Sequence, residues 1–122
     1  MPIELTIEEA IFCTVMIGTV TDRELLSYYS QPVFAETTNV WRELVDGRQI
    51  VGMEISADGQ RQLAAFVAAG AARIRGGRVA MVASDAVVYG MFRMWELQRE
   101  GLGYEVSVFR DMDDARRWIA RP

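Results

Sequence analysis

Arg78-Val79-Ala80-Met81-Val82-Ala83 is the stretch on which the reading of the fold turns. It is a continuous apolar run after a Gly76-Gly77 turn, the pattern of a strand covered on both faces. Ser84 and Asp85 offer helix-capping oxygens directly after it, and an apolar stripe continues to Gly101. Tyr104-Glu105-Val106-Ser107-Val108-Phe109 repeats the strand pattern, and Asp111 opens a short final helix. The segment from Arg78 to Ala120 is therefore strand, helix, strand, helix.

Working outward, Ile3-Glu4-Leu5-Thr6-Ile7 alternates strictly, and Phe12, Thr14 and Met16 interleave with Cys13, Val15 and Ile17. Two strands joined at Glu8-Glu9-Ala10 form a hairpin. Thr21-Asp22-Arg23-Glu24 is a capping box that starts a helix bearing Leu25, Leu26, Tyr28 and Tyr29. Pro32 ends or bends that helix near Gln31, because its ring excludes an interior hydrogen bond. Asn39 to Asp46 gives a third strand, with Asp46-Gly47 as its turn. Ser56 caps a helix in which Leu63, Phe66, Val67, Gly70 and Ile74 share one face. Gly70 costs about 1 kcal/mol of helix propensity, so it is expected where the helix approaches the sheet closely. Gly90 repeats the device beside Val87, Val88, Met91, Trp95 and Gln98. In the last helix Asp111 caps, Asp113 and Asp114 occupy the first turn, and Arg116, Arg117 and Arg121 follow. Each such charge adds about 0.3–1 kcal/mol against the helix dipole, while Met112, Ala115, Trp118 and Ile119 form the buried stripe.

The expected order is ββαβαβαβα: a five-stranded mixed sheet covered by four helices, an α/β fold in one domain spanning residues 1–122. A chain of 122 residues suits a single core. No apolar run approaches the roughly 20 residues of a membrane span, and Met1-Pro2-Ile3-Glu4 lacks a signal pattern, so a cytoplasmic protein is expected. Cys13, the only cysteine, is expected as a small buried hydrophobe.

The net charge of −4 argues against nucleic acid as a partner, although Arg73, Arg75 and Arg78 cluster. Histidine is absent and all 13 basic residues are arginine. Without imidazole there is no usual base for a Ser or Cys nucleophile and no usual zinc ligand. Without lysine there is no Schiff-base chemistry. Neither cofactor nor metal is expected, and acid–base work is left to carboxylates, tyrosines and one thiol.

Several of these stretches together resemble a known family. They are the strand Arg78 to Ala83, Tyr89-Gly90-Met91-Phe92-Arg93-Met94-Trp95, Val106-Ser107-Val108-Phe109-Arg110-Asp111, and Ala115-Arg116-Arg117-Trp118-Ile119. The pattern is similar to that of the small bacterial STAS-type, SpoIIAA-like proteins, akin to the anti-anti-sigma factors of sporulation. The resemblance implies an α/β sandwich that acts through protein partners or apolar ligands. Signalling relatives carry a phosphorylatable residue in an Asp-Ser-Ser-Gly-like turn. Here Ser56-Ala57-Asp58-Gly59 stands at the corresponding place, and Ser56 is the candidate for phosphorylation.

Candidate ligand-binding residues lie first at the carboxyl ends of the strands, where open α/β sheets bind ligands. Asp46, Arg48, Ser84, Asp85 and Arg110 are expected to converge there, with Arg110 suited to a carboxylate or phosphate. Met91, Met94 and Trp95 supply adaptable apolar surface for a small molecule or a subunit interface. Phe92, Met94 and Trp95 widen the apolar arc of their helix beyond one sheet contact. The leading expectation is a non-enzymatic binding or regulatory module, a homodimer, acting through a protein partner or a small apolar molecule. The alternative is a small enzyme that uses carboxylates and arginine at the strand ends, with Asp46 or Asp85 as base.

Overall fold

The strict alternation at the N-terminus pairs into a hairpin. The computed structural model describes residues 3–37 and 39–122, and opens with β1 (Ile3–Glu8) and β2 (Ile11–Thr21), antiparallel from Ile3↔Met16 to Glu8↔Ile11. Met1 and Pro2, which begin the N-terminal stretch considered above, lie outside the described residues. Glu9 and Ala10 make the two-residue turn at φ of 51° and 65°. Two left-handed positions in succession match the twist of the flanking strands.

Thr21 then caps α1 (Asp22–Tyr29) through the expected reciprocal box, its hydroxyl accepting from the Glu24 amide while Glu24 accepts from the Thr21 amide. Pro32 does not simply stop this helix. It stands at the first position of a separate short helix, α2 (Pro32–Glu36), where its missing N–H and fixed φ cost nothing. The described residues therefore form five helices, not four, and α2 delivers the fully buried Phe34 to the core.

β3 (Arg42–Glu54) also departs from the sequence reading. Asp46-Gly47 is no turn: the strand runs on, paired with β2 as far as Thr21↔Glu54. Between Val15↔Asp46 and Ile17↔Gln49 the strand β3 advances one residue more than β2, and it does so again between Gly18↔Ile50 and Thr19↔Gly52. Both are bulges, which admit an extra residue without ending the ladder. Gly47 is required at the first, because a Cβ there would stand 2.7 Å from the Phe92 ring.

The remaining elements are α3 (Ala57–Gly70), β4 (Arg78–Val82), α4 (Ala86–Gln98), β5 (Glu105–Phe109) and α5 (Met112–Ile119). Sheet order is β1-β2-β3-β4-β5, antiparallel at β1 and parallel from β2 onward. Because the parallel strands are laid down in one direction, crossovers of one hand place α1 to α4 on the same face. That face holds the larger core, built around Phe12, Met16, Phe34, Trp41, Val79, Met81, Val88, Phe92 and Trp95. On the other face α5 alone buries Met112, Ala115 and Ile119 against Leu44, Ala80 and Val82.

Two expectations about helix faces need correction. Gly90 has open space where a Cβ would be, and Gly70 would meet only the Arg73 side chain, so neither marks a close approach to the sheet. In α4 the core contacts fall to Val88, Phe92 and Trp95, while Val87 is 73% exposed and Met94 and Leu97 face outward. Cys13 is half-buried, with burial the main cause that raises its thiol pKa. Among the described residues no helix is long and apolar enough to cross a membrane.

Candidate ligand cavity beneath the third helix

α3 is fastened at its ends and loose between them. At its N-terminus Ser56 accepts from the Gly59 amide at 2.9 Å, and its own hydroxyl donates to Asp22 Oδ2 at 2.9 Å. The Ser56 amide reaches the same oxygen at 3.2 Å. Those Ser56 donors hold the Asp22 carboxyl below its ordinary pKa. Gly59 is pressed so closely on Asp22 that a Cβ could not fit without displacing it. Beyond the helix, Gly76 takes φ of +77° and donates to the Gly103 carbonyl at 2.8 Å, and Arg78 donates to the Trp41 carbonyl at 2.9 Å.

Between these ties α3 packs on α1 and only lightly on the sheet, and Gly59 is its only fully buried residue. Leu63, Phe66 and Val67, the stripe expected to sink into the core, instead roof a cavity of about 140 Å³. Trp41, Glu43, Val45, Val79 and Met81 make its floor, Leu25, Tyr29 and Phe34 one wall, and Trp95, Arg99 and Tyr104 the other. A chamber of that size admits several waters or a small organic molecule. Gln60 Nε2 donates to Gln98 Oε1 at 3.3 Å, joining α3 to α4 beside it.

Glu43 is the acidic residue of the described lining, whose other polar members are Gln60, Arg73, Gln98 and Arg99 beside the tyrosines. It is 3% exposed, on the middle strand of the sheet. Its Oε2 accepts from the Thr14 hydroxyl at 2.7 Å and from the Tyr29 phenol at 2.8 Å. Thr14 in turn lies 2.7 Å from the Tyr28 hydroxyl. Burial pushes the Glu43 pKa up, opposed by the Thr14 and Tyr29 donors, by the Arg99 charge and, least, by the Trp41 indole. Burial likewise raises the phenols of Tyr28, Tyr29 and Tyr104. A carboxyl taken out of water is tolerated only when donors replace the lost hydration, and here they do. The sequence carried the signal: in Trp41-Arg42-Glu43-Leu44-Val45, strand alternation puts Glu43 on the face of Trp41 and Val45.

Of the residues expected at the carboxyl ends of the strands, Asp46 pairs with Val82 at the end of β4, Ser84 and Asp85 follow that end, and Arg110 follows the end of β5. Asp46 and Arg48 close on each other across the bulge, with Nε donating to Oδ1 and Nη2 to Oδ2, both at 2.9 Å. Burial would raise the Asp46 carboxyl, but the Arg48 side chain and amide outweigh it and hold the pKa below its ordinary value. Asp85 caps α4, accepting from the amides of Val87 and Val88, and Ser84 is exposed before it. Arg110 lies over the Tyr89 ring at 4.3 Å. Met91 packs half-buried against the core and Met94 is exposed. Of these eight residues only Trp95 lines the cavity, which sits toward the amino ends of β3 to β5 rather than their carboxyl ends. Ser56, the modification candidate, serves as the α3 cap.

Among solved structures the chain is similar to a DUF3478-family protein with a SpoIIAA-like fold from Shewanella loihica PV-4. The two superpose with a TM-score of 0.65 over 97% of this chain and 92% of that one, at 15% sequence identity. The fold is SpoIIAA-like. This is the architecture implied by the resemblance of the strand and helix stretches, now carried by 97% of the chain. No family model matches the sequence, and no curated protein matches it. At that identity the similarity extends to the SpoIIAA-like backbone arrangement alone, so any function has to be argued from the cavity and its side chains.

Proposed function

We propose that the chain is a non-enzymatic binding module that holds a small apolar ligand in the cavity beneath α3. The observation that carries this reading is the misfit between α3 and the sheet. Leu63, Phe66 and Val67 present an apolar face to a space that no side chain of the described residues fills. Interiors normally pack with few voids larger than a water molecule, and an unfilled apolar space forfeits dispersion contacts along its lining. A ligand restores them. The polar groups around the chamber are few, as in a site where shape and apolar contact dominate.

The alternative of carboxylate and arginine chemistry at the strand ends draws less support. Asp46 is neutralised by Arg48, and Asp85 is engaged by the α4 amides. Neither carboxylate faces the cavity lining described above.

Trp41 and Trp95 line the chamber, so their fluorescence reports occupancy. Titration with short-chain alcohols should give a saturable change in emission. Leu63→Trp, which fills the cavity from its roof, should abolish that change without altering the circular dichroism spectrum. A wild-type response that never saturates, or one that survives Leu63→Trp unaltered, would rule the cavity out as the binding site.

A further inference from the structure

We infer that the ligand carries a hydrogen-bond donor, in its simplest form a primary ammonium on a short apolar body, and that Glu43 recognises it. The inference rests on the cavity reading and adds the chemical class. It follows from the direction of the protons around Glu43. The Thr14 hydroxyl has one proton, given to Glu43 Oε2 at 2.7 Å, so in its contact with Tyr28 the phenol is the donor. Tyr29 also gives its one proton to Oε2, at 2.8 Å. Tyr28, Thr14 and Tyr29 thus all orient toward Glu43 as the final acceptor.

An ionised carboxylate offers about four acceptor positions. Thr14 and Tyr29 both bind Oε2, and the Trp41 indole makes a weaker approach. Acceptor capacity therefore remains on the one acidic group in the described lining, which otherwise is mostly apolar with Gln60, Arg73, Gln98 and Arg99 at its polar positions. A donor on the ligand satisfies it, and a cationic donor forms the stronger, charge-assisted bond. A ligand carboxylate at the same depth would set like charges together with little water to screen them.

Arg73 and Arg99 also border the cavity, with Arg99 stacked toward Trp95 at 5.9 Å. An anionic head could sit beside them only by turning its apolar end onto Glu43, which would leave the acceptor positions not taken by Thr14 and Tyr29 without a ligand donor. The geometry therefore favours the donor end inward.

The test is a head-group series on one chain length. n-Hexylamine, 1-hexanol and hexanoate are titrated into the full chain and followed by tryptophan emission and NMR shifts. Hexylamine should bind about tenfold or more tighter than hexanoate, the worth of one charge-assisted bond. Glu43→Gln should erase that preference while hexanol still binds. Should that variant fail to fold, the wild-type series decides, with contacts from the amine-bearing methylene to Tyr29 or Thr14 expected in NMR. Hexanoate binding as tightly as hexylamine, or a preference that persists in Glu43→Gln, overturns the donor assignment and leaves the cavity reading intact. Absence of saturable binding by all three compounds overturns both.

Discussion

Tyr29 donates its phenol proton to Glu43 at 2.8 Å, tying the last turn of α1 to the middle strand of the sheet. The bond joins two groups that each resist burial alone, a phenol and a carboxyl, and it does so at the edge of a cavity. Thr14 supplies the second donor from the neighbouring strand β2. Glu43 is thereby held in one orientation by two separate elements.

Removing one of those donors should cost stability. Tyr29→Phe leaves the ring in place and deletes only a hydrogen bond to a carboxylate, worth about 1.5–3 kcal/mol. It should also move the Glu43 pKa further upward, since a donor that favours the charged form is lost. Urea denaturation at neutral pH measures the first effect, and NMR titration of the Glu43 carboxyl the second. A Tyr29→Phe variant as stable as wild type, with Glu43 titrating unchanged, would show that the bond does not persist in solution.

Gly47 provides a test of the bulge. Its added methyl would stand 2.7 Å from the buried Phe92 ring and 3.0 Å from the Val82 carbonyl. Overpacking of this kind costs about 1–3 kcal/mol, so Gly47→Ala should unfold at lower denaturant concentration. Gly90→Ala is the control: open space surrounds that position on a helix. Replacing glycine there should stabilise by about 0.5–1 kcal/mol. Equal effects from the two substitutions would mean that Phe92 does not pack as described.

Much of the fold was legible because its signals are local. The apolar run Arg78 to Ala83, the caps Thr21, Ser56, Asp85 and Asp111, and the charge order of α5 depend only on residues a few positions apart. What escaped was set by distant partners. Asp46-Gly47 has the composition of a turn, and only the length of β2 alongside it converts the pair into a bulge. α2 spans five residues, too few to show a period, and Pro32 serves equally as a stop or a start. The α3 stripe announced an apolar face but not what it faces. At the strand-end rim the contacts of the polar side chains were likewise not visible in the sequence. Three of its polar groups are engaged nearby: Asp46 by Arg48, Asp85 by backbone amides, and Arg110 by the Tyr89 ring.

Phe34 is the strongest core test among the residues that sequence periodicity overlooked. It is fully buried and its ring lies within 5.0–5.5 Å of those of Phe12, Tyr28, Tyr29 and Trp41. Phe34→Ala should cost about 3–5 kcal/mol, and calorimetry should show a correspondingly lowered Tm. A loss under about 1 kcal/mol, the range of ordinary surface changes and mild ones, would place α2 outside the cooperative core.

The two buried carboxyls of β3 should respond to pH in opposite senses. Glu43 faces the helices and its pKa is raised, chiefly by burial, above the ordinary 4.5. In the interval between those two values the folded state binds more protons than the unfolded one. The Glu43 contribution is thus full below pH 4.5 and is lost as pH rises through the folded-state value. Asp46 is the reverse case. Burial works against its charge, but Arg48 holds the pKa below the ordinary 3.8, so the unfolded state binds more protons in that interval. Its contribution is full above pH 3.8 and is lost as pH falls through the folded-state value. The stability difference between wild type and Glu43→Gln should therefore turn against wild type as pH rises from 4.5. The difference between wild type and Asp46→Asn should turn against wild type as pH falls below 3.8. Denaturant midpoints collected at matched ionic strength measure both slopes. Slopes of the same sign for the two pairs would mean that one carboxyl lacks the surroundings assigned to it, and the titration of each side chain by NMR would identify which.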